Sequence, residues 1–197
     1  MNDSASSPNA ADELLAIRCQ LGERKAFDEL IERHAERLRG YLRRVAGSEA
    51  DADDMVQDTW LRVIRGLPGL RDPSRFRAWL FGIAHRVLVD RLRAKYASPA
   101  QSSTETLIDD ADLQTEHIRR DQIELGLAVL APVEREVIVL FHFEQLKLTE
   151  IASALSLPVG TIKSRLHRAR AQMRRVLEHP RSASPDSDEH SLKGDSA

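Results

Sequence analysis

The 197-residue chain has a single cysteine, Cys19, which excludes an internal disulfide and any cysteine-clustered zinc or iron–sulfur centre. Cys19 sits where a small apolar residue would serve, so packing rather than a redox switch is expected of it. No apolar run approaches the roughly 18 uninterrupted residues of a membrane span. The start, MNDSASSPNAADELL, has neither the basic n-region nor the apolar h-region of a secretory signal. A cytoplasmic protein without membrane insertion is therefore the expectation. The chain also lacks GxGxxG, a P-loop, HExxH and GxSxG. It is thus read as a non-enzyme with no cofactor and no metal. Carboxylates gather around Asp53, but no histidine stands at ligand spacing beside them.

Neither sign of charge dominates: 29 Lys and Arg stand against 31 Asp and Glu, a net charge of −2. The balance is a cancellation. Residues 12–97 hold 17 basic against 14 acidic groups and residues 122–179 hold 8 against 6, whereas residues 98–121 hold 2 against 6 and the tail from 180 holds 2 against 4. The bias is sharpest from Thr161 to Arg175, where Lys163, Arg165, Arg168, Arg170, Arg174 and Arg175 meet no acid. Such a run is either a solvated helix face or a surface for a polyanion.

With 42% apolar residues there is enough material for a core, and the length suits one or two domains. The periodicity is helical wherever it is strong. Phe27, Leu30, Ile31, His34, Leu38, Tyr41, Leu42 and Val45 form one stripe, stopped by Gly47, with His34 expected at its edge. Met55, Val56, Trp60, Val63, Ile64 and Leu67 form a second, ended by Pro68-Gly69. That helix begins with Asp51, Asp53 and Asp54, which suit a helix N-terminus; Gln57 and Asp58 fit that account less well. After a stiff loop, Phe76, Trp79, Leu80, Ile83, Ala84, Val87, Leu88 and Leu92 form a third, with Arg75, Arg77, His85, Arg86, Arg91, Arg93 and Lys95 around it. Cations interleaved with aromatics suit single-stranded nucleic acid, although Phe76 reads as core.

In the second half, Ile123, Leu127 and Leu130 give a helix interrupted at Pro132, and Val133 to Phe141 give another. Thr149 is a candidate N-cap for a short helix, and Pro158 suits the first position of the next. Ile162, Leu166, Ala169 and Met173 are the buried stripe of that last helix. Two short helices around a tight turn, the second loaded with cations, predict a helix-turn-helix. Lys163, Ser164 and His167 lie opposite the stripe on the first turns, where base edges are read, and Arg165, Arg168 and Arg170 suit phosphates. The expected organisation is all-α. It has a disordered N-terminus (1–11), a first helical domain (12–97), a flexible acidic linker (98–117), a helix-turn-helix domain (118–179) and a disordered tail (180–197).

These residues resemble a known family. AFDELIERHAERLRGYLRR, DADDMVQDTWLRVIRGL and SRFRAWLFGIAHRVLVDRLR are similar to region 2 of bacterial sigma factors, and LAVLAPVEREVIVLFHFEQLKLTEIASALSLPVGTIKSRLHRARAQMRRVL to region 4. With no large first region or middle domain, the chain resembles the extracytoplasmic-function class of the sigma-70 superfamily over about residues 13–179. The resemblance implies a subunit that binds core RNA polymerase and directs promoter-specific initiation, commonly held off by an anti-sigma protein. It assigns Asp53, Asp54, Gln57 and Asp58 to the clamp helices of the polymerase. Arg75, Arg77, Trp79 and Arg86 fall to the melted −10 strand, and Lys163, Ser164, Arg165, His167 and Arg168 to the −35 duplex. The chain departs from the family in Asp53 and Asp58, where glutamates are common, and in Gly82, which costs a helix about 1 kcal/mol. The alternative is a stand-alone helix-turn-helix regulator that binds duplex DNA as a dimer. A helical adaptor that binds no DNA is a third reading.

Overall fold

The computed structural model describes residues 8–97 and 122–178, and among them every regular element is helical. The expected linker, the tail from 180, and residues 1–7 of the expected disordered start lie outside the described residues.

The first block has four helices: α1 (Pro8–Gln20), α2 (Arg24–Ala46), α3 (Glu49–Gly66) and α4 (Phe76–Ala97). Helix α1 begins inside the segment 1–11 that composition marks as disordered. Its order comes from docking: Leu15 and Ala16 are buried, and so is Asp12. Asp12 Oδ1 lies 2.6 Å from Arg33 Nε and 3.1 Å from His34 Nε2, ion-pair contacts without hydrogen-bond alignment. His34 is therefore buried between helices and not at the edge of its stripe. Replacing Asp12 with Ala strands these groups and is expected to lower unfolding stability by about 2 kcal/mol, read by denaturant titration.

Helix α2 ends at Gly47, whose φ of 72° is left-handed and whose N–H bonds Arg43 O, as a glycine stop requires. Ser48 caps α3 by accepting from Asp51 N. Tyr41 is fully buried with its ring edge-on to Phe81, at 5.3 Å between centroids, and Phe76 is core as expected.

The second block has a helical segment α5 (122–128), then α6 (Pro132–Ile138), α7 (Leu148–Ala154) and α8 (Val159–Glu178). Arg135 caps α5 from the next helix: its Nε donates to Leu127 O at 2.9 Å, and another nitrogen reaches Ala128 O and Leu130 O. Beyond Ile138 the backbone widens into a π turn over Val139–Phe143, which periodicity reads as plain helix. Helix α7 starts one residue before Thr149. Lys147, not Thr149, takes the cap position, because the Glu150 carboxylate accepts from Lys147 N at 2.7 Å. Likewise Pro158 stands just before α8, where its carbonyl accepts from Thr161 N and Ile162 N. Between α7 and α8, Ser156 takes a left-handed φ of 54° and makes the tight turn.

The two blocks share one continuous apolar core, with α7 packed on α4 and α6 on α2.

Candidate nucleic-acid interface

Three surfaces carry the residues singled out in the sequence. On α3, Asp53, Asp54, Gln57 and Asp58 are all exposed and lie on one side of the helix, opposite buried Ala52, Met55, Thr59 and Val63. Exposed Leu61 and Ile64 extend the same side by two turns, an apolar margin that sequence reading counted as core for Ile64. Asp53 pairs with Arg39 at 2.8 Å, and Asp54 shares Arg91 with Asp51 at 3.2 and 3.1 Å. Among the described residues Gln57 and Asp58 make no ion pair or side-chain hydrogen bond, so the centre of this face is open to a partner.

The second surface is the loop between α3 and α4 with the start of α4. Two single turns, Leu67–Gly69 and Pro73–Arg75, shape the loop. Asp72 holds it by accepting from Ser74 N at 3.2 Å and from the Ser74 hydroxyl at 2.5 Å. From α1, Gln20 Nε2 donates to Leu67 O and Leu70 O, at 3.1 and 2.7 Å. Gln20 and Asp72 escape sequence reading, since neither breaks a pattern; the turn-forming Asp-Pro-Ser was the one available signal. Gln20→Ala should loosen the loop without unfolding the block, visible as faster amide exchange at 67–75.

Trp79 is half-buried, and a Cβ placed on Gly66 would sit 3.0 Å from its Cζ2, so the indole lies over the glycine that ends α3. Arg86 follows Trp79 by seven residues, two helical turns, and is exposed on the same side; Arg75 is exposed nearby and pairs with Asp72 at 3.1 Å. Arg77 does not join them. Two residues are about 200° of helix, and its guanidinium turns the other way, donating to Glu144 O of the second block and reaching Asn9 Oδ1 at 3.5 Å.

The third surface is the N-terminal half of α8. Lys163, Ser164, His167 and Arg168 are exposed, while Ile162, Leu166 and Ala169 are buried against α6 and α7. Arg165 is half-buried at the edge. Arg168 Nε lies 3.2 Å from Glu134, and Ser164 donates to Thr161 O at 3.0 Å. Arg170, expected on phosphates, instead lies over the Phe141 ring at 5.1 Å and against His142. Beside it the His142 pKa is lowered, first by burial and then by the Arg170 charge.

Burial pushes the Glu144 carboxyl up to about 7, against the opposing pull of Arg37, Arg77 and Arg44. Its Oε2 is buried with no hydrogen-bond partner, which suits a neutral acid. The folded chain therefore keeps a proton that the unfolded chain has lost. Stability is expected to fall as pH rises from about 4.5 to about 7, with no further change from this group above that. Comparing denaturation midpoints across that window with those of Glu144→Gln isolates the effect, since the variant should be flatter. Burial also raises the Cys19 thiol, which keeps it from being an easily oxidised thiolate.

Among the described residues every element is helical, and the second block is a helix-turn-helix whose second helix exposes a basic face, the pattern of a DNA-binding class. Comparison narrows it. The family described as sigma-70 region 2 matches residues 30–97, and that described as sigma-70, region 4 matches residues 120–173. The extracytoplasmic-function RNA polymerase sigma factor SigM of Mycobacterium tuberculosis is 34% identical over 171 residues, 84% of this chain and 83% of that protein. SigE of Mycolicibacterium smegmatis is 31% identical over 159 residues, 77% of this chain, which spans 62% of that relative. Among solved structures, CnrH in complex with the cytosolic domain of CnrY is similar, with a TM-score of 0.65, 31% identity, and coverage of 85% of this chain and 97% of that one. The chain belongs to the extracytoplasmic-function sigma factors of the sigma-70 family. The stand-alone regulator is disfavoured, because residues 30–97 of the first block match sigma-70 region 2. No helix among the described residues is long and apolar enough to cross a membrane.

Proposed function

We propose that this sigma factor docks on core RNA polymerase through the exposed acidic side of α3, with Asp53, Asp54, Gln57 and Asp58 in contact. In this reading it opens the −10 element against Arg75, Trp79 and Arg86, and reads the −35 duplex with Lys163, Ser164 and His167 while Arg165 and Arg168 hold phosphates. Arg77 joins the −10 surface only if released from Glu144. The observation that carries the reading is the pairing of the open α3 face with the open α8 face in one chain. Neither alone separates a sigma factor from a generic helical or DNA-binding protein. The domain limits 12–97 and 118–179, a cytoplasmic location, a non-catalytic role and control by an anti-sigma protein belong to the same reading.

The α8 assignment has its own test. Lys163→Ala should weaken binding of a −35 duplex by about 1–3 kcal/mol if the lysine reads a base, and relax selection at one position. If it only holds a phosphate, affinity should fall evenly across sequences and the slope of log affinity against log salt should drop by about one. Binding of the polymerase complex to a duplex library at two salt concentrations separates the two. No change in either quantity would remove Lys163 from the interface.

A further inference from the structure

Glu144 takes no part in the three surfaces above, and the charge around it is unbalanced. It is 3% exposed at the close of the π turn, and its Oε2 is buried with no hydrogen-bond partner. Burial favours its neutral form, so it is a poor counter-ion for the guanidiniums that face it, Arg37 and Arg44 from α2 and Arg77 from α4. Arg77 donates to Glu144 O. Arg37 makes no ion pair or side-chain hydrogen bond among the described residues. Arg37, Arg44 and Glu144 line one cleft of about 310 Å³ between α2 and the π turn.

A glycine shapes this cleft. Residues 37, 40 and 44 recur on one face of α2, and the middle one is Gly40, a poor choice for a helix interior. The space it leaves is used: an added Cβ would stand 3.0 Å from Arg44 Nη1, which donates to Gly40 O at 3.4 Å. Arg44 is fixed further by the Phe143 ring, 4.3 Å away, and by Glu124, which accepts from its Nε at 3.3 Å. Its other N–H donors have no partner among the described residues. Arg39, which pairs with Asp53, and Arg43 add positive charge along the cleft against Glu36.

We propose that this cleft binds a small phosphate-bearing anion, a free diphosphate or the diphosphate end of a nucleotide, with Arg37 and Arg44 on the phosphoryl oxygens and Glu144 Oε2 beneath them. Guanidinium forks match phosphoryl oxygens in geometry and charge. The protonated Glu144 carboxyl donates to one such oxygen, which gives Oε2 the partner it lacks in the protein. The anion supplies the counter-charge that a neutral Glu144 withholds from Arg37. Seven residues separate the two arginines, about 10 Å along α2, so a diphosphate spans more of the gap than a lone carboxylate or phosphate. At about 30 Å³ per water, the cleft gives up about ten waters to its ligand, which is room enough for that group. The site is independent of how the chain meets promoter DNA.

The test is calorimetric titration of the full chain with inorganic pyrophosphate in about 0.15 M chloride, where loosely held surface ions are screened. Pyrophosphate should bind at one site per chain. Arg37→Gln should weaken it roughly tenfold, the loss of one charge-assisted contact. Gly40→Ala should weaken it too while raising the unfolding midpoint, because alanine favours the helix and displaces only the end of the Arg44 side chain. A folding defect cannot produce that pair of results. Glu144 is read with sulfate, whose charge is fixed between about pH 6 and pH 8. Wild type should bind sulfate several-fold more tightly at the lower pH, where Glu144 keeps its proton, and Glu144→Gln should not change with pH. Of the groups facing Glu144, the three arginines keep their charge in this window and Tyr41, pushed up by burial and by Glu136, stays neutral. His85, which meets Glu136, is common to both forms. ADP binding more tightly than pyrophosphate would assign the site to a nucleotide, and equal or weaker binding of ADP to a free diphosphate. No pyrophosphate binding by wild type, or undiminished affinity in Arg37→Gln and Gly40→Ala, would overturn the site. A wild-type sulfate affinity that does not change with pH would overturn the Glu144 contact.

Discussion

Exchanging Asp54 and Gln57 together for lysine is expected to abolish binding to core RNA polymerase while leaving the helices intact. The two side chains lie on the exposed side of α3 beside Asp53 and Asp58. Like charges brought face to face across an interface cost several kcal/mol, and about 1.4 kcal/mol is a factor of ten in affinity. The charge reversal at Asp54 and the charge added at Gln57 should therefore together weaken binding by more than about a hundredfold. The fold should survive, because Arg91 loses Asp54 but keeps Asp51 at 3.1 Å, and exposed ion pairs contribute little to stability. Circular dichroism should be unchanged and co-elution with core polymerase lost. Unchanged affinity would mean that the polymerase meets another face.

Removing the Trp79 indole is expected to cripple strand opening. If a −10 base stacks on it, the loss is about 1–3 kcal/mol, or about 5- to 150-fold in the population of open complex. Its place over Gly66 complicates Trp79→Ala, which also removes packing between α3 and α4. Trp79→Phe keeps an aromatic face with less packing loss and should recover part of the opening. Gly66→Ala is the complementary probe, since the new methyl would stand 3.0 Å from the ring and displace it without removing it. Permanganate footprinting on a premelted and on a duplex promoter separates stacking from melting. A folded Trp79→Ala protein that opens the duplex as well as wild type would remove this residue from the −10 surface.

Helices α2 and α3 are legible because each buries one stripe at helical spacing, with α2 stopped by Gly47 and α3 by Gly66 just before the expected Pro68-Gly69; α4 is buried on nearly every side from Leu80 to Ala84, because α3 and α7 both pack on it. The helix-turn-helix is legible too, although its turn relies on Ser156 in a left-handed conformation that a serine does not announce. What escaped reading is set by contacts between distant segments. The start of α1 has the composition of a tail and is ordered by Asp12 and Leu15 docking on other helices. The π turn ends at Glu144, whose carbonyl accepts from Arg77 of the first block, and no period encodes it. Glu136 carries no signal in the sequence, yet it is buried and accepts from Tyr41 of the first block.

For the candidate surfaces the sequence did better on which residues are exposed than on where they point. Asp53, Asp54, Gln57, Asp58, Lys163, Ser164 and His167 all face outward. Arg77 and Arg170 read as cations for nucleic acid and are turned to protein partners in this conformation. A count of basic residues cannot distinguish a guanidinium that meets phosphate from one that meets a carbonyl or a ring.

The decisive experiment is transcription by core RNA polymerase supplied with the purified chain on a promoter library. Initiation should depend on the chain and select a paired upstream duplex element and a downstream melted element. Asp54→Lys with Gln57→Lys should abolish it at every promoter, whereas Lys163→Ala should alter only the upstream part. Absence of chain-dependent initiation, together with tight binding of a palindromic duplex by the chain alone, would contradict the account.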